Sequence, residues 1–394
     1  YFAQHAEPSR PLRIAISNLE ERLAVLTQEF PTMVMDVAPQ PRETFVLYRG
    51  DYAQPRDRVT PGTPAALPPL PPDAPTDRRG LAEWVTMRTN PLTARVAVNR
   101  FWQLLFGVGI VKTSADFGAQ GEWPSHPELL DWLAVDFQES GWRVKELIRK
   151  IVLSATYRQS SSATPVQLER DPENRWLARG PRFRLPAELI RDGALRVSGL
   201  LVPQLGGPSV NPYMPADLWR EISHYGSTPA TAQSFVQDHG DKLYRRSLYT
   251  YWKRTAPPPN MAAFDAPSRE VCVVSRPGTT TPLQALVLLN DVQFVEAARA
   301  FAQRMLALEA DDVERLRWGV RECLSRDPRA HELETLMRTL DRERQRYQRD
   351  PAAAQQYLRI GESPRDASLA ASEHAAWAQV ATVLLNLSET ITRN

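Results

Sequence analysis

The sequence contains little cysteine, little lysine and no long apolar run. Its 394 residues include only two cysteines, Cys272 and Cys323, and these cannot build a zinc cluster by themselves. The haem-attachment pattern C-x-x-C-H is also missing, so we predict no cofactor within this chain. No segment approaches 18 uninterrupted apolar residues, and we therefore expect no membrane span.

The charges are nearly balanced, with 48 basic and 46 acidic residues and a net charge of +2. This balance gives no reason to expect a nucleic-acid partner. Only five basic residues are lysine, and arginine is the better residue for bidentate contacts to carboxylates and phosphates. A compositional bias toward arginine, alanine and proline explains the same numbers. No two histidines stand four residues apart, and we predict no metal site.

Proline positions mark helix starts, because a proline in the first turn of a helix removes no intrahelical hydrogen bond. A capping residue precedes proline at Asn90, Thr164, Asp171, Thr281, Asp327 and Asp350. Two of these sites, Thr164–Gln167 and Thr281–Gln284, also carry the glutamine of a capping box, and Ser125–Glu128 is predicted to be a third box. The apolar residues that follow recur at helical spacing. The sequence therefore predicts a mainly α fold, an irregular array of many helices.

Three regions are predicted along the chain. Residues 1–54 should form an N-terminal helix with short strands, TMVMDV and ETFVLYRG, as the tail of a preceding domain. Residues 55–79 are rich in proline and should form an extended connector or strap. Residues 80–394 should form the main helical domain, interrupted by a loop-rich section at 201–280 in which SLYTYWK is the one predicted strand.

Several phrases give the chain a family resemblance that runs from about Val34 to near its C-terminus. Among them are NPLTARVAVNRFWQLLFGVGIVKTSADFG, GPRFRLPAELIRD, LYRRSLYTYWKRT and TPLQALVLLND. They resemble the C-terminal domain of unknown function in planctomycete cytochrome-associated surface proteins. The resemblance implies an extracytoplasmic location and a larger parent protein whose haem lies in another region. Other domains of that parent are then the expected partners. No catalytic residue is implied.

The first candidate site is the segment that contains Asp265, Arg269, Glu270 and Cys272, with Arg276 shortly after it. Two carboxylates, a guanidinium and a thiol so close together could bind a polar ligand, and a thiolate near arginine is activated. A second interpretation is an arginine–carboxylate network that pins an irregular loop, with Cys272 as a small buried side chain. The two cysteines could also form a disulfide, or both could be buried thiols.

The second candidate site combines Tyr157, Arg158 and Gln159 with the segment Asn99–Gln103. Aromatic rings beside amide and guanidinium groups are the composition of a carbohydrate site. The alternative is that Phe101 and Trp102 point into a core, because their segment has a helical pattern.

These observations favour a non-catalytic binding or assembly module that contacts polysaccharide or the haem-bearing region of its parent. The alternative is an enzyme, hydrolytic or redox, with its site around Asp265, Arg269, Glu270 and Cys272. The sequence leaves open whether the protein is catalytic.

Overall fold

The computed structural model describes residues 10–27, 36, 38, 42–222 and 234–393. The chain divides into two compact units, one ending at Trp84 and the other beginning at Val85. The described residues form fifteen α-helices and only two small two-stranded sheets, one of them near the N-terminus. The predicted mainly α fold is confirmed. Among the described helices, none is long and apolar enough to cross a membrane.

The first unit contains helix α1 (Arg10–Thr27) and an antiparallel hairpin of β1 (Thr44–Leu47) and β2 (Pro55–Val59). Strand β1 lies in the predicted strand ETFVLYRG, whereas most of TMVMDV falls outside the described residues. Strand β2 was not predicted, because its first residue is a proline in a proline-rich segment. Proline is tolerated there as the first residue of a strand. From 60 to 77 no helix or strand follows.

The remaining elements are mostly helices. They are α2 (Arg78–Thr86), α3 (Thr93–Phe106), α4 (Pro127–Glu139), α5 (Val144–Leu153), α6 (Pro165–Arg170), α7 (Ala187–Ser198), α8 (Leu218–Ile222), α9 (Pro259–Ala262), α10 (Pro282–Asn290), α11 (Val292–Leu306), α12 (Asp312–Leu324), α13 (Ala330–Arg349), α14 (Pro351–Tyr357) and α15 (Ala371–Leu385). Strands β3 (Phe183–Arg184) and β4 (Thr392–Arg393) pair antiparallel.

Two of the three predicted capping boxes are present, and they open α6 at Thr164 and α10 at Thr281. The one at Ser125–Glu128 is not, because α4 begins after His126, whose side chain makes no capping hydrogen bond. Asp350 likewise caps α14 through the main-chain N–H of Ala353, at 3.0 Å. Asp171 does not start a helix, because its carboxylate accepts hydrogen bonds from the main-chain N–H groups of Arg175 and Trp176 at 2.7 and 2.8 Å. These bonds fold the residues after Asp171 into a turn.

One hydrophobic cluster of the second unit joins α3, α4 and α5. Trp102 is buried and stacks on Phe106 with ring centroids 4.1 Å apart, so the prediction that this aromatic segment faces a core is confirmed. Asn99 is fully buried, and its amide exchanges hydrogen bonds with the main chain of Val111 at 2.8 and 3.0 Å. Helix α3 ends at Gly107 with φ +82°, and a Cβ there would lie 2.9 Å from the Phe183 ring.

The largest of the three clusters is centred on α11 and α15. Fully buried alanines on both helices, among them Ala297, Ala298, Ala376 and Ala381, share this core with the fully buried aromatic side chain of Trp377. Small residues at such positions let helices approach closely while the aromatic ring fills the remaining volume. Helices α7, α12, α13 and α14 contribute further side chains to this core.

A buried arginine, Arg191 on α7, fixes the loop-rich section to this core. Its guanidinium donates to the carbonyls of Leu243 and Arg245 at 2.7 and 2.8 Å and to the Ser247 hydroxyl at 3.2 Å. Residues Ser247–Tyr249 form a 3-10 turn, so the strand predicted for SLYTYWK is wrong. The reason is the carboxylate of Asp192, which accepts from both the N–H and the hydroxyl of Ser247 at 2.7 Å.

Candidate functional site

A surface groove of about 670 Å³ lies in the second unit and contains part of the first predicted site. Its walls are the exposed face of α3, residues 183–189 and the loop from Phe264 to Gly278, and we call it the groove. Asp265 and Arg276 line it, together with Arg100, Gln103 and Arg184. The structure therefore brings residues that are distant in sequence to one open depression.

Asp265 closes the loop that forms one wall of the groove. Its carboxylate accepts from the main-chain N–H of Thr279 at 2.8 Å and from the Thr279 hydroxyl at 2.8 and 2.9 Å. Asp265 and Arg269 both have left-handed backbones, with φ +60° and +63°. Side chains with a Cβ adopt this conformation at a cost, which Asp tolerates better than most residues. The loop is thus held in a defined, strained shape.

Three further contacts tie this loop to the opposite walls. Arg276 forms an ion pair with Glu188 of α7 at 2.7 Å. The Gln103 amide donates to the Ser275 hydroxyl at 3.1 Å, and Arg184 donates to the Thr280 hydroxyl at 3.0 Å. The interpretation of an arginine–carboxylate network that pins the loop is therefore confirmed for Arg276.

Arg269, Glu270 and Cys272 lie on the same loop but do not line the groove. The Arg269 guanidinium stacks over the ring of Trp252 at 4.5 Å, and Glu270 approaches Arg254 only to 3.8 Å. Cys272 is exposed and Cys323 partly buried, and both thiols are free. The expectation that Cys272 is a buried side chain is wrong, because its loop places it outside all three hydrophobic clusters.

Tyr157, Arg158 and Gln159 do not join the groove either. The Tyr157 ring packs edge-on against Phe106 with centroids 5.5 Å apart. The Gln159 amide donates to the carbonyls of Thr156 and Leu177 at 3.2 and 3.0 Å, so it fastens the chain locally. Arg158 is exposed. The predicted combination of these residues with Asn99 at one open carbohydrate site is not present.

The family model described as PSD1, a protein of unknown function (DUF1553), matches residues 77–340, about two thirds of the chain. The chain belongs to the PSD1 family. No curated protein and no solved structure matches it. The matched region contains every residue that lines the groove. The family description assigns no activity, so the chemistry of this PSD1 chain has to be inferred from the groove itself.

The groove offers positive charge beside apolar surface. Arg100 is exposed and makes no hydrogen bond or ion pair to the described residues, and Nη1 of Arg184 also lacks a partner among them. Burial lowers the pKa of Arg184, while the nearby charge of Asp265 acts in the opposite direction. The apolar side chains include Leu104, which is 67% exposed, and Val273, which is 50% exposed. An acidic group on an apolar ligand matches this surface.

The described residues that line the groove include no histidine, tyrosine, cysteine or lysine. Its two carboxylates are already engaged, Asp265 by Thr279 and Glu188 by Arg276. The described residues also hold no group of three or more histidine, cysteine or acidic side chains placed to bind a metal ion. Arginine therefore supplies the charged groups of the groove that have no ion-pair partner among the described residues.

Sequence reasoning placed Arg100 and Gln103 in the second candidate site, but it missed Arg184 and Leu104 as members of this surface. The only available signal for these two was that Leu104 stands in the recognised phrase NPLTARVAVNRFWQLLFGVGIVKTSADFG and Arg184 in GPRFRLPAELIRD. Nothing in those phrases distinguishes a residue at the groove from its neighbours in the core.

Proposed function

We propose that this PSD1 chain is a non-catalytic assembly module of a larger, extracytoplasmic, cytochrome-associated protein of the planctomycete type. Its groove receives an acidic polypeptide segment with apolar side chains, contributed by another region of the same parent. The haem of that parent belongs to the other region. One observation carries the proposal: Arg100 and Arg184 stand without a carboxylate partner among the described residues, next to exposed Leu104.

The apolar part of the groove supports a polypeptide occupant. Leu104, Leu189 and Val273 are all about half exposed or more. Burying the exposed part of each contributes about 1 kcal/mol to association. Leucine and valine side chains of a peptide provide the matching surface. Sugar-binding sites instead present flat aromatic rings, and the described lining has neither tryptophan nor tyrosine.

The electrostatic part supports an acidic segment. A guanidinium pairs with a carboxylate through two parallel hydrogen bonds, which adds both free energy and orientation. Arg184 is partly fixed already, because it donates to Thr280, so less side-chain entropy is lost when a ligand binds. Arg276 contributes less, since Glu188 already pairs with it.

The proposal is tested by isothermal titration of this chain with the remaining regions of its parent protein, expressed separately. Arg100→Glu and Leu104→Ala should each raise the Kd at least about tenfold, which corresponds to about 1.4 kcal/mol. Arg359→Glu and Leu205→Ala are matched controls, because both residues are exposed and neither lines the groove. The controls should leave the Kd unchanged.

Three results would contradict the proposal. One is the absence of any binding between the chain and those regions. Another is binding that the groove variants affect no more than the controls do. The third is binding of a neutral polysaccharide that the groove variants weaken, because the ligand of the groove would then be a polysaccharide and not a polypeptide.

A further inference from the structure

A second cavity, of about 650 Å³, lies in the same unit and shares no lining residue with the groove. It is lined by residues 161–163, the loop from Pro172 to Arg182, and Arg329, Ser388 and Glu389. We call it the arginine cavity. Its volume lies in the range of small-molecule sites.

The walls of the arginine cavity are held together by main-chain contacts. The N–H of Gly180 donates to the carbonyl of Ser160 at 2.8 Å, and a Cβ on Gly180 would lie 2.3 Å from the carbonyl oxygen of Gln159. The Gln159 amide reaches across to Leu177 at 3.0 Å. A glycine is needed where two backbones approach this closely. The cavity is therefore a built feature of the fold.

Arg179 is the residue that points to a ligand. Its side chain lines the cavity and the residue is only 7% exposed. Nη2 donates to the carbonyls of Asp171 and Pro172 at 2.7 and 3.0 Å, which fixes the guanidinium. Nη1 is buried and has no hydrogen-bond partner among the described residues. An unpaired buried donor on a charged group is costly, and a bound acceptor would remove that cost.

The charges around the cavity leave a positive excess. Its two carboxylates are neutralised by other cations: Glu173 pairs with Lys112 at 2.8 Å, and Glu389 pairs with Arg326 at 2.5 Å. Arg179, by contrast, has no carboxylate within ion-pair distance among the described residues.

Two more arginines, Arg182 and Arg329, line the cavity and are exposed. Neither forms an ion pair with a described carboxylate within 4.0 Å. The hydrogen bond from Arg326 is the main reason that the pKa of Glu389 is lowered, and the charge of Arg329 adds to this effect at longer range. Three guanidinium groups therefore face one cavity whose acids are already paired elsewhere.

We propose that the arginine cavity binds a small hydroxylated ligand that carries an oxyanion, with the oxyanion at Arg179. Phosphate, sulfate and carboxylate groups share the acceptor geometry that a guanidinium recognises. The hydroxyls of Ser161, Ser162 and Ser388 line the same cavity and supply hydrogen bonds for the uncharged part of the ligand. Arg182 and Arg329 attract the anion at the mouth. This site is independent of the groove and of its proposed polypeptide partner.

The test is isothermal titration of the full chain at low ionic strength with four charged probes and one neutral probe. The charged probes are inorganic phosphate, sulfate, glucuronate and glucose 6-phosphate, and the neutral probe is glucose. The charged sugars should bind, should weaken as salt is added, and should bind more tightly than the inorganic ions. Glucose should not bind. If the inorganic ions bind as tightly as the charged sugars, the ligand is a free anion, and the proposal of a hydroxylated ligand is overturned.

The variants separate a site from a structural role. Arg179→Lys keeps the positive charge but loses the planar guanidinium that can donate two parallel hydrogen bonds to an oxyanion. It should weaken binding roughly tenfold or more. Because Arg179 also holds the loop at Asp171, a second variant at the mouth, Arg182→Glu with Arg329→Glu, tests the site on exposed residues that hold no loop. It should also weaken binding at least about tenfold, and a cooperative thermal unfolding transition should show that the variant is still folded. Arg359→Glu should bind as the wild type does.

Either of two further outcomes overturns the proposal. In one, none of the four charged probes binds to the folded wild-type chain. In the other, the double variant binds them as tightly as Arg359→Glu does.

Discussion

Asp265 and Thr279, fourteen residues apart, are joined by hydrogen bonds from the Thr279 N–H and hydroxyl to one carboxylate. This contact sets the base of the loop that walls the groove. It also explains why an acidic residue occupies a position with φ +60°, where the backbone alone would favour glycine. The acidic group that looked catalytic in the sequence is thus a structural fastening.

Replacing Asp265 should therefore affect stability in a defined order. Asp265→Ala removes the acceptor and keeps a Cβ at positive φ, and it should lower the free energy of unfolding by about 1–3 kcal/mol. Asp265→Asn keeps one acceptor oxygen and tolerates the left-handed backbone, so its effect should be smaller. Urea denaturation measures both. An equal loss for the two variants would contradict the fastening role.

The two cysteines should react very differently with a thiol reagent. Cys272 is exposed, whereas burial raises the pKa of Cys323 to about 12 and leaves almost no thiolate at neutral pH. We expect one thiol to be labelled in the native chain and the other only after unfolding. Cys272→Ser should abolish the native labelling. Rapid native labelling of that variant would show that Cys323 is accessible and would contradict the structure.

Arg191 should be among the residues most sensitive to substitution. Burial lowers the pKa of Arg191 to about 10, while the charge of Asp192 acts in the opposite direction, so the guanidinium remains charged at neutral pH. It donates hydrogen bonds to the carbonyls of Leu243 and Arg245 and to the hydroxyl of Ser247, all in the loop-rich section. Arg191→Ala should cost about 3–5 kcal/mol of stability. Arg196→Ala on the exposed side of the same helix should change it by less than about 0.5 kcal/mol. Comparable losses of stability in the two variants would contradict the role of Arg191 in holding the loop-rich section to the core.

Buried His374 should make the fold sensitive to acid. Its Nε2 donates to the Arg299 carbonyl at 2.9 Å, and burial lowers its pKa below the ordinary value, an effect that the charges of Arg299 and Arg365 increase and that of Asp366 opposes. The unfolded chain binds a proton below about pH 6.5, whereas the folded chain resists it. Stability should therefore fall as the pH drops below about 6.5.

His374→Gln provides the comparison for this acid sensitivity, because a glutamine amide can replace the Nε2 donor without titrating. The variant should lose less stability than the wild type between neutral and mildly acidic pH, as thermal unfolding would measure. His331→Gln, at an exposed position, is the control. A pH dependence that is the same in His374→Gln and the wild type would exclude this histidine as a cause.

Local signals in the sequence predicted local structure well. Thr164 with Gln167, and Thr281 with Gln284, form the capping boxes that their spacing indicates, because all the partners lie within four residues. Asp171 carries a similar signal but is used in a turn. Whether Asp171 caps a helix or closes a turn depends on contacts with residues further along the chain.

What the sequence could not reveal are the contacts between distant residues. Arg179 and Arg191 are two of 43 arginines, and their burial follows from carbonyl groups that the fold brings to them. The groove is likewise made by α3 and a loop more than 150 residues away, joined by Gln103 and Ser275. Neither segment carries a pattern that identifies the other.

The measurement that tests the central claim most directly is hydrogen–deuterium exchange of this chain with and without the remaining regions of its parent. Binding in the groove predicts slower exchange of the amides at 183–189 and 273–278, with those of α13 unchanged. Protection restricted to segments away from the groove, or unchanged exchange at 183–189 and 273–278 in the bound chain, would contradict the account.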